Sequence, residues 1–202
     1  MERVPAEAEA HRLHFTGDEA ADALLTRDPF ALLAGMLLDQ QMPMERAFSG
    51  PWRLAQRLNA ESLDPRRIAA MDRESFAAIM ATPPAVHRFP GSMATRLQGL
   101  ARHVVDAYDG DAAALWSTAG SGDELLARLT ALPGFGEQKA RIFVAVLGKR
   151  LGIHPPGWRE AAGQYGTAGS RRSVADVEDA DSIAQVRAYK QAHKQETKKT
   201  SS

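Results

Sequence analysis

The chain has 202 residues and no cysteine, and its 25 basic residues balance 25 acidic ones, so the formal net charge is zero. That length allows one large domain or two small lobes around a core that needs no staples. The missing cysteine excludes disulfides, thiolate nucleophiles and Cys-held zinc or iron–sulfur centres. No apolar run approaches the ~20 residues of a membrane span, and residues 1–15 contain no apolar signal segment, so a soluble, cytoplasmic protein is expected.

The neutral total conceals a gradient. Residues 1–30 carry a net −4, residues 31–130 a net −1 and residues 131–202 a net +5. Between positions 139 and 172 seven bases (Lys139, Arg141, Lys149, Arg150, Arg159, Arg171, Arg172) face Glu160 alone. A polyanion would dock on this third of the chain; a merely solvated basic face fits the charge equally well.

In chain order, the periodicity is helical. Asp28-Pro29 reads as an N-cap and first turn. Phe30, Leu32, Leu33, Met36, Leu37 and Leu38 make the helix behind it almost wholly apolar, hence central. It ends at Asp39-Gln40-Gln41, before Met42-Pro43. Residues 44–58 form a second helical stretch with a break expected at Gly50-Pro51. Asp64-Pro65 caps a short helix through Met71, and another runs from Asp72 or Arg73 to Met80, stopped by Thr82-Pro83-Pro84. Ser92 is expected to cap a long helix whose inner stripe is Leu97, Leu100, Ala101, Val104 and Tyr108. Asp123 opens a helix with Leu125, Leu126, Leu129 and Leu132 facing inward, and the next runs from Glu137 to about Leu151. After Gly152 the chain reads as irregular, with a last helix starting near 179–182 and carrying Ile183, Val186 and Tyr189. No strand and no internal repeat is expected.

The chemistry concentrates where two of these helices meet. Leu132-Pro133-Gly134-Phe135-Gly136, followed by Ala140, is a glycine hairpin that turns tightly and lets backbone come close to another molecule. The free N–H groups of Gly136 and its neighbours, at the start of a helix, suit one anion such as a phosphate. Lys139 and Arg141 add positive charge nearby. An ordinary helix–turn–helix corner is the bland alternative.

Residues 132–143 resemble the hairpin of the helix-hairpin-helix (HhH-GPD, endonuclease III-like) base-excision DNA glycosylases. Asp28-Pro29-Phe30 through Gln41 is similar to that superfamily's helix ending in leucine, leucine and glutamine, and order and spacing agree over residues 28–147. The resemblance implies an all-α, two-lobed fold. One six-helix lobe would span 28–151 and hold the hairpin at about 123–151. Residues 1–27 with 152–190 would form the second lobe, and 191–202 a disordered basic tail. Double-stranded DNA would lie across the cleft, bound by a monomer working at the nucleoid. Gln41 matches the glutamine that fills the gap left by an extruded base, and Phe89-Pro90-Gly91-Ser92 is similar to the loop approaching the opposite strand. His87-Arg88-Phe89 could supply a wedge into the stack, or be an exposed turn.

The chain also departs from the pattern. Gln138 occupies the position where bifunctional members carry a Schiff-base lysine. Lys139 is one residue on, about 100° around the helix, and is expected to face phosphate. The position of the superfamily's catalytic aspartate falls on Pro156. Glu160 and Asp176 are the carboxylates that could take its place, with Asp176 preferred. Trp158 and Tyr165 are the candidate stacking residues for a flipped base, whereas Phe48 and Trp52 read as core. The superfamily's four-cysteine cluster is absent, so no iron–sulfur cofactor is expected; the hairpin carbonyls would accommodate a monovalent cation. The expected function is a monofunctional DNA N-glycosylase without lyase activity. A non-catalytic binder of damaged or abasic DNA is the alternative, and a helical protein-binding module a third reading.

Overall fold

The computed structural model describes the backbone of residues 11–200 and the side chains of 11–193. Among the described residues the secondary structure is entirely helical, and no helix is long and apolar enough to cross a membrane. Helix α1 (Glu19–Arg27) has no counterpart in the periodicity reading, although its signals are local. Asp18 caps it by accepting from the N–H groups of Ala20 and Ala21, acids fill the first turn, and Arg27 closes it. Buried Asp22 ties the preceding segment down by accepting from Phe15 N, Thr16 N and the Thr16 hydroxyl.

Helix α2 (Pro29–Leu38) is the central strut, with every residue from Phe30 to Leu38 buried. Asp28 caps it through Ala31 N at 2.9 Å and also accepts from Leu63 N at 2.6 Å, joining α2 to a distant loop. Burial pushes the Asp28 carboxyl up while those N–H groups pull it down. Helices α3 (Met44–Phe48) and α4 (Gly50–Arg57) pack with α1 against α2, and the break between them falls at Ser49, just ahead of Gly50-Pro51. Helices α5 (Pro65–Ala70) and α6 (Arg73–Ala81) pack on the long α7 (Pro90–Tyr108). Leu97, Leu100, Ala101 and Val104 of its stripe are fully buried. The cap differs from expectation: α7 begins at Pro90 behind Phe89, and Ser92 is exposed. Proline's fixed φ starts the helix, so no hydroxyl cap is needed.

After the short α8 (Ala114–Ser117), helices α9 (Gly122–Thr130) and α10 (Glu137–Arg150) form the hairpin pair, and Ser121 rather than Asp123 caps α9. Helix α11 (Trp158–Ala162) and 3-10 turns at Gly163–Gly166 and Val174–Asp176 pack on α10. The last helix, α12 (Ala180–Thr200), continues through residues 191–200, into the segment expected to be disordered. Its acid at the start, its lysines at the end and its Ala, Gln, Glu and Lys content all favour helix. Residues 201–202 of that segment, and residues 1–10 of the expected second lobe, lie outside the described residues.

Candidate functional site

The hairpin is held by what its glycines allow. Leu132 and Phe135 are buried on either side of Gly134. Gly134 has φ +84°, and a Cβ there would stand 2.4 Å from Leu37 Cδ1, so both conformation and contact require glycine. Gly136 is different. It occupies the N-cap of α10 with φ −80° and ψ 170°, and a Cβ would meet nothing within 4 Å. The fold does not require glycine there, and the first N–H groups of α10 are left facing outward without a side-chain cap.

Behind the hairpin lies a cavity of about 510 Å³ between the end of α2, the first turns of α10 and the inner side of α12. Gln41, Asp39, Gln138, Lys139, Tyr165 and Tyr189 border it. Lys139 does not face a phosphate, as the sequence suggested. Its Nζ reaches under α2 and donates to Met36 O at 2.6 Å and Leu37 O at 3.1 Å. These carbonyls end a buried helix and lack partners within it; Lys139 takes both, sharing Leu37 O with the Gln40 amide, which donates to it at 2.7 Å. Burial lowers the Lys139 pKa from 10.5 to about 8, against the opposing pull of Asp39. One position earlier, the Gln138 amide donates to the Tyr165 hydroxyl at 2.9 Å. Arg141 pairs with Glu137 one turn back and donates to Ala161 O at 2.7 Å, pinning α10 to the end of α11.

The turn carrying Gln41 is braced from α7. Phe89 N donates to His87 Nδ1 at 3.0 Å, so buried His87 carries its proton on Nε2 and donates it to Gln40 O at 2.9 Å. Arg96 donates to Gln40 Oε1 at 2.9 Å. Gln41 itself has φ +56° and an exposed side chain. Phe89 is 44% exposed beneath the Arg88 guanidinium, in contrast to the buried apolar side chains around it.

The other candidates fall elsewhere. Asp176 borders a second cavity of about 360 Å³ that shares no lining residue with the first. It is paired with Lys149 at 2.6 Å and accepts from the Ser170 hydroxyl, Arg172 N and Ser173 N, so both oxygens are engaged. Trp158 borders the same second cavity. Its ring lies on Gly148, stacks on His154 at 5.2 Å and carries Arg159 on its other contact surface. Glu160 is exposed on α11 and borders neither cavity. At the start of α11, near the expected aspartate position, Gly157 stands as N-cap with no side chain to offer. The carboxylate that does border the first cavity is Asp39, which the sequence registers only as the end of a helix. Arg172, from the segment before α12, and Tyr189 and Lys190, from α12 itself, join it there across a long sequence separation. Among the described residues no three His, Asp or Glu side chains gather as a metal site.

The family model described as HhH-GPD superfamily base excision DNA repair protein matches residues 34–202. No curated protein and no solved structure matches the chain. The matched span runs from within α2 through the hairpin to α12, taking in every wall of the first cavity, and the chain belongs to the HhH-GPD superfamily of base excision DNA repair proteins.

Proposed function

We propose that the protein is a monofunctional DNA N-glycosylase that acts as a monomer on duplex DNA at the nucleoid. The convergence of Gln41, the hairpin helix and Tyr165 on one cavity carries this reading. The open N–H groups at Gly136 take a backbone phosphate. The damaged base swings into the cavity, which costs a few kcal/mol, least where pairing is already weak. Gln41 fills the space left behind, and exposed Phe89 wedges the opposite strand. Loss of the base leaves positive charge on the sugar, which a fixed carboxylate stabilises. The sequence pointed to Asp176 or Glu160 for that role. The buried pair with Lys149 and the position of Glu160 outside the cavity favour Asp39 instead.

The absence of lyase activity follows from the two side chains that could have supplied an amine. Gln138 has none, and the Lys139 ammonium is held on two carbonyls. Its lowered pKa nevertheless leaves a fraction of free amine near neutrality. Borohydride trapping on lesion and abasic duplexes is therefore expected to give no covalent adduct, and an adduct that disappears in Lys139→Ala makes the protein bifunctional. The glycosylase reading itself is tested by incubating the protein with single-lesion duplexes and revealing abasic sites with alkali. Tight binding of abasic duplex with no base released from any lesion replaces it with a non-catalytic binder.

A further inference from the structure

The chemistry of the cavity wall limits what can be read there. Three cationic side chains border it, Lys139, Arg172 and Lys190, against the single carboxylate of Asp39. Donors outnumber acceptors as well. An ammonium has three N–H groups, and Lys139 spends two on Met36 O and Leu37 O. The Tyr165 hydroxyl accepts from Gln138, which leaves its own proton to donate. Arg172 gives one nitrogen to Gln164 Oε1 and the Tyr189 hydroxyl, keeping the rest of its guanidinium fork, and its position over the Tyr189 ring at 5.6 Å fixes the direction of that fork.

We infer that this cavity takes a base bearing extra carbonyl oxygens, that is a deaminated or an oxidised base, and rejects N-alkylated purines. The inference rests on the glycosylase reading and adds its substrate class. Deamination and oxidation both replace a donor or a hydrogen with a carbonyl acceptor, which meets the donors of Lys139, Tyr165 and Arg172. An N-alkylated purine carries a delocalised positive charge. In the cavity it would face three like charges, and the one acid is shared with Lys190 at 3.8 Å. Alkylation also blocks one ring-nitrogen acceptor and adds none, so the wall's donors lose a partner, which is the costly direction of mismatch.

The test uses the full chain and otherwise identical duplexes containing uracil, hypoxanthine, 8-oxoguanine, 7-methylguanine or 3-methyladenine. Base release is followed in single turnover, and binding is measured on the same duplexes. At least one carbonyl-bearing base should leave about 100-fold faster than either methylated purine. Uracil and hypoxanthine against 8-oxoguanine separates deamination from oxidation. Arg172→Gln should narrow the gap by slowing the carbonyl-bearing lesion more than the methylated ones. Release of a methylated purine as fast as the best carbonyl-bearing base overturns the inference while leaving the glycosylase reading standing. If no base is released, the glycosylase reading fails and the affinities decide the inference. Tighter binding of a carbonyl-bearing lesion than of the methylated purines supports it, while equal, reversed or undetectable binding overturns it.

Discussion

Lys139 is half-buried and Asp176 buried, both are charged, and the physics that holds them predicts opposite behaviour. Asp176 is matched by Lys149 and three further donors, so removing its charge strands a buried ammonium. Asp176→Asn should lower unfolding stability by about 3 kcal/mol in urea titrations. Base release measured on the folded fraction should change little. Asp39→Asn should do the reverse, leaving the urea midpoint near that of the parent and slowing single-turnover release by roughly 10²–10³-fold. Parental release in Asp39→Asn would return the role to Glu160 or Asp176. Lys139 pays a desolvation penalty, and its sign gives a pH signature. With the folded pKa at about 8 and the ordinary value at 10.5, the unfolded chain binds more protons between those limits. Unfolding free energy therefore rises with pH across that window, and the penalty is complete below it. The stability of the parent relative to Lys139→Met should rise by about 1 kcal/mol per pH unit from 8 to 10 and stay flat below 8. A difference that does not vary with pH would mean that the amine is solvated.

At the scale of elements, the hairpin separates a glycine needed by the fold from one that the fold does not need. Gly134→Ala combines an unfavourable positive φ with a 2.4 Å contact on Leu37 and should destabilise the protein outright. Gly136→Asp has open space, an extended backbone and a position where aspartate is a better cap than glycine. Its thermal midpoint should equal or exceed the parent's, while affinity for abasic duplex falls at least about tenfold, because a carboxylate then occupies the phosphate position. Unchanged affinity would remove the hairpin from the interface. The elements themselves were largely legible in the sequence. Apolar periodicity gave α2, α7, α9 and α10, because each buries a regular stripe. The α1 helix was less so, since its signal lies in capping and charge. The site was legible only in its local parts, Gln41 and the glycine turn. Asp39 at the end of α2, Arg172 in the segment before α12 and Tyr189 on α12 come together only in the folded chain, and no spacing in the sequence encodes that meeting. The contacts of Lys139 are hidden for a related reason. Helical rotation says which way it leaves its own helix, but not that two carbonyls at the end of another helix lie beneath it.

Over the whole molecule, the excess of positive charge in the last third overstates what is free to meet DNA. Of the seven bases between positions 139 and 172, Lys139 is spent on α2 carbonyls, and Arg141, Lys149 and Arg150 are paired with Glu137, Asp176 and Glu178. Among the described residues Arg159, Arg171 and Arg172 enter no close ion pair: they meet the Trp158 ring, Gln185, and Gln164 with Tyr189, and Arg171 acts on Asp179 only at longer range. Outside this segment, Arg187 is paired with Glu45 and Lys190 lies near Asp39. Arg172 borders the cavity, so Arg159 and Arg171 are left for about two phosphates and about two counterions' worth of salt dependence. The plot of log affinity for abasic duplex against log salt should then have a slope of about −2. A slope near zero would mean that phosphate contacts do not drive binding, against the hairpin site. A slope steeper than about −7 would mean that the internal pairs open on DNA and lend their cations to it. Arg159→Gln offers the check at a single residue. It borders neither Gln41 nor the cavity, so it should make the slope shallower by about one, with the ranking of lesions unchanged.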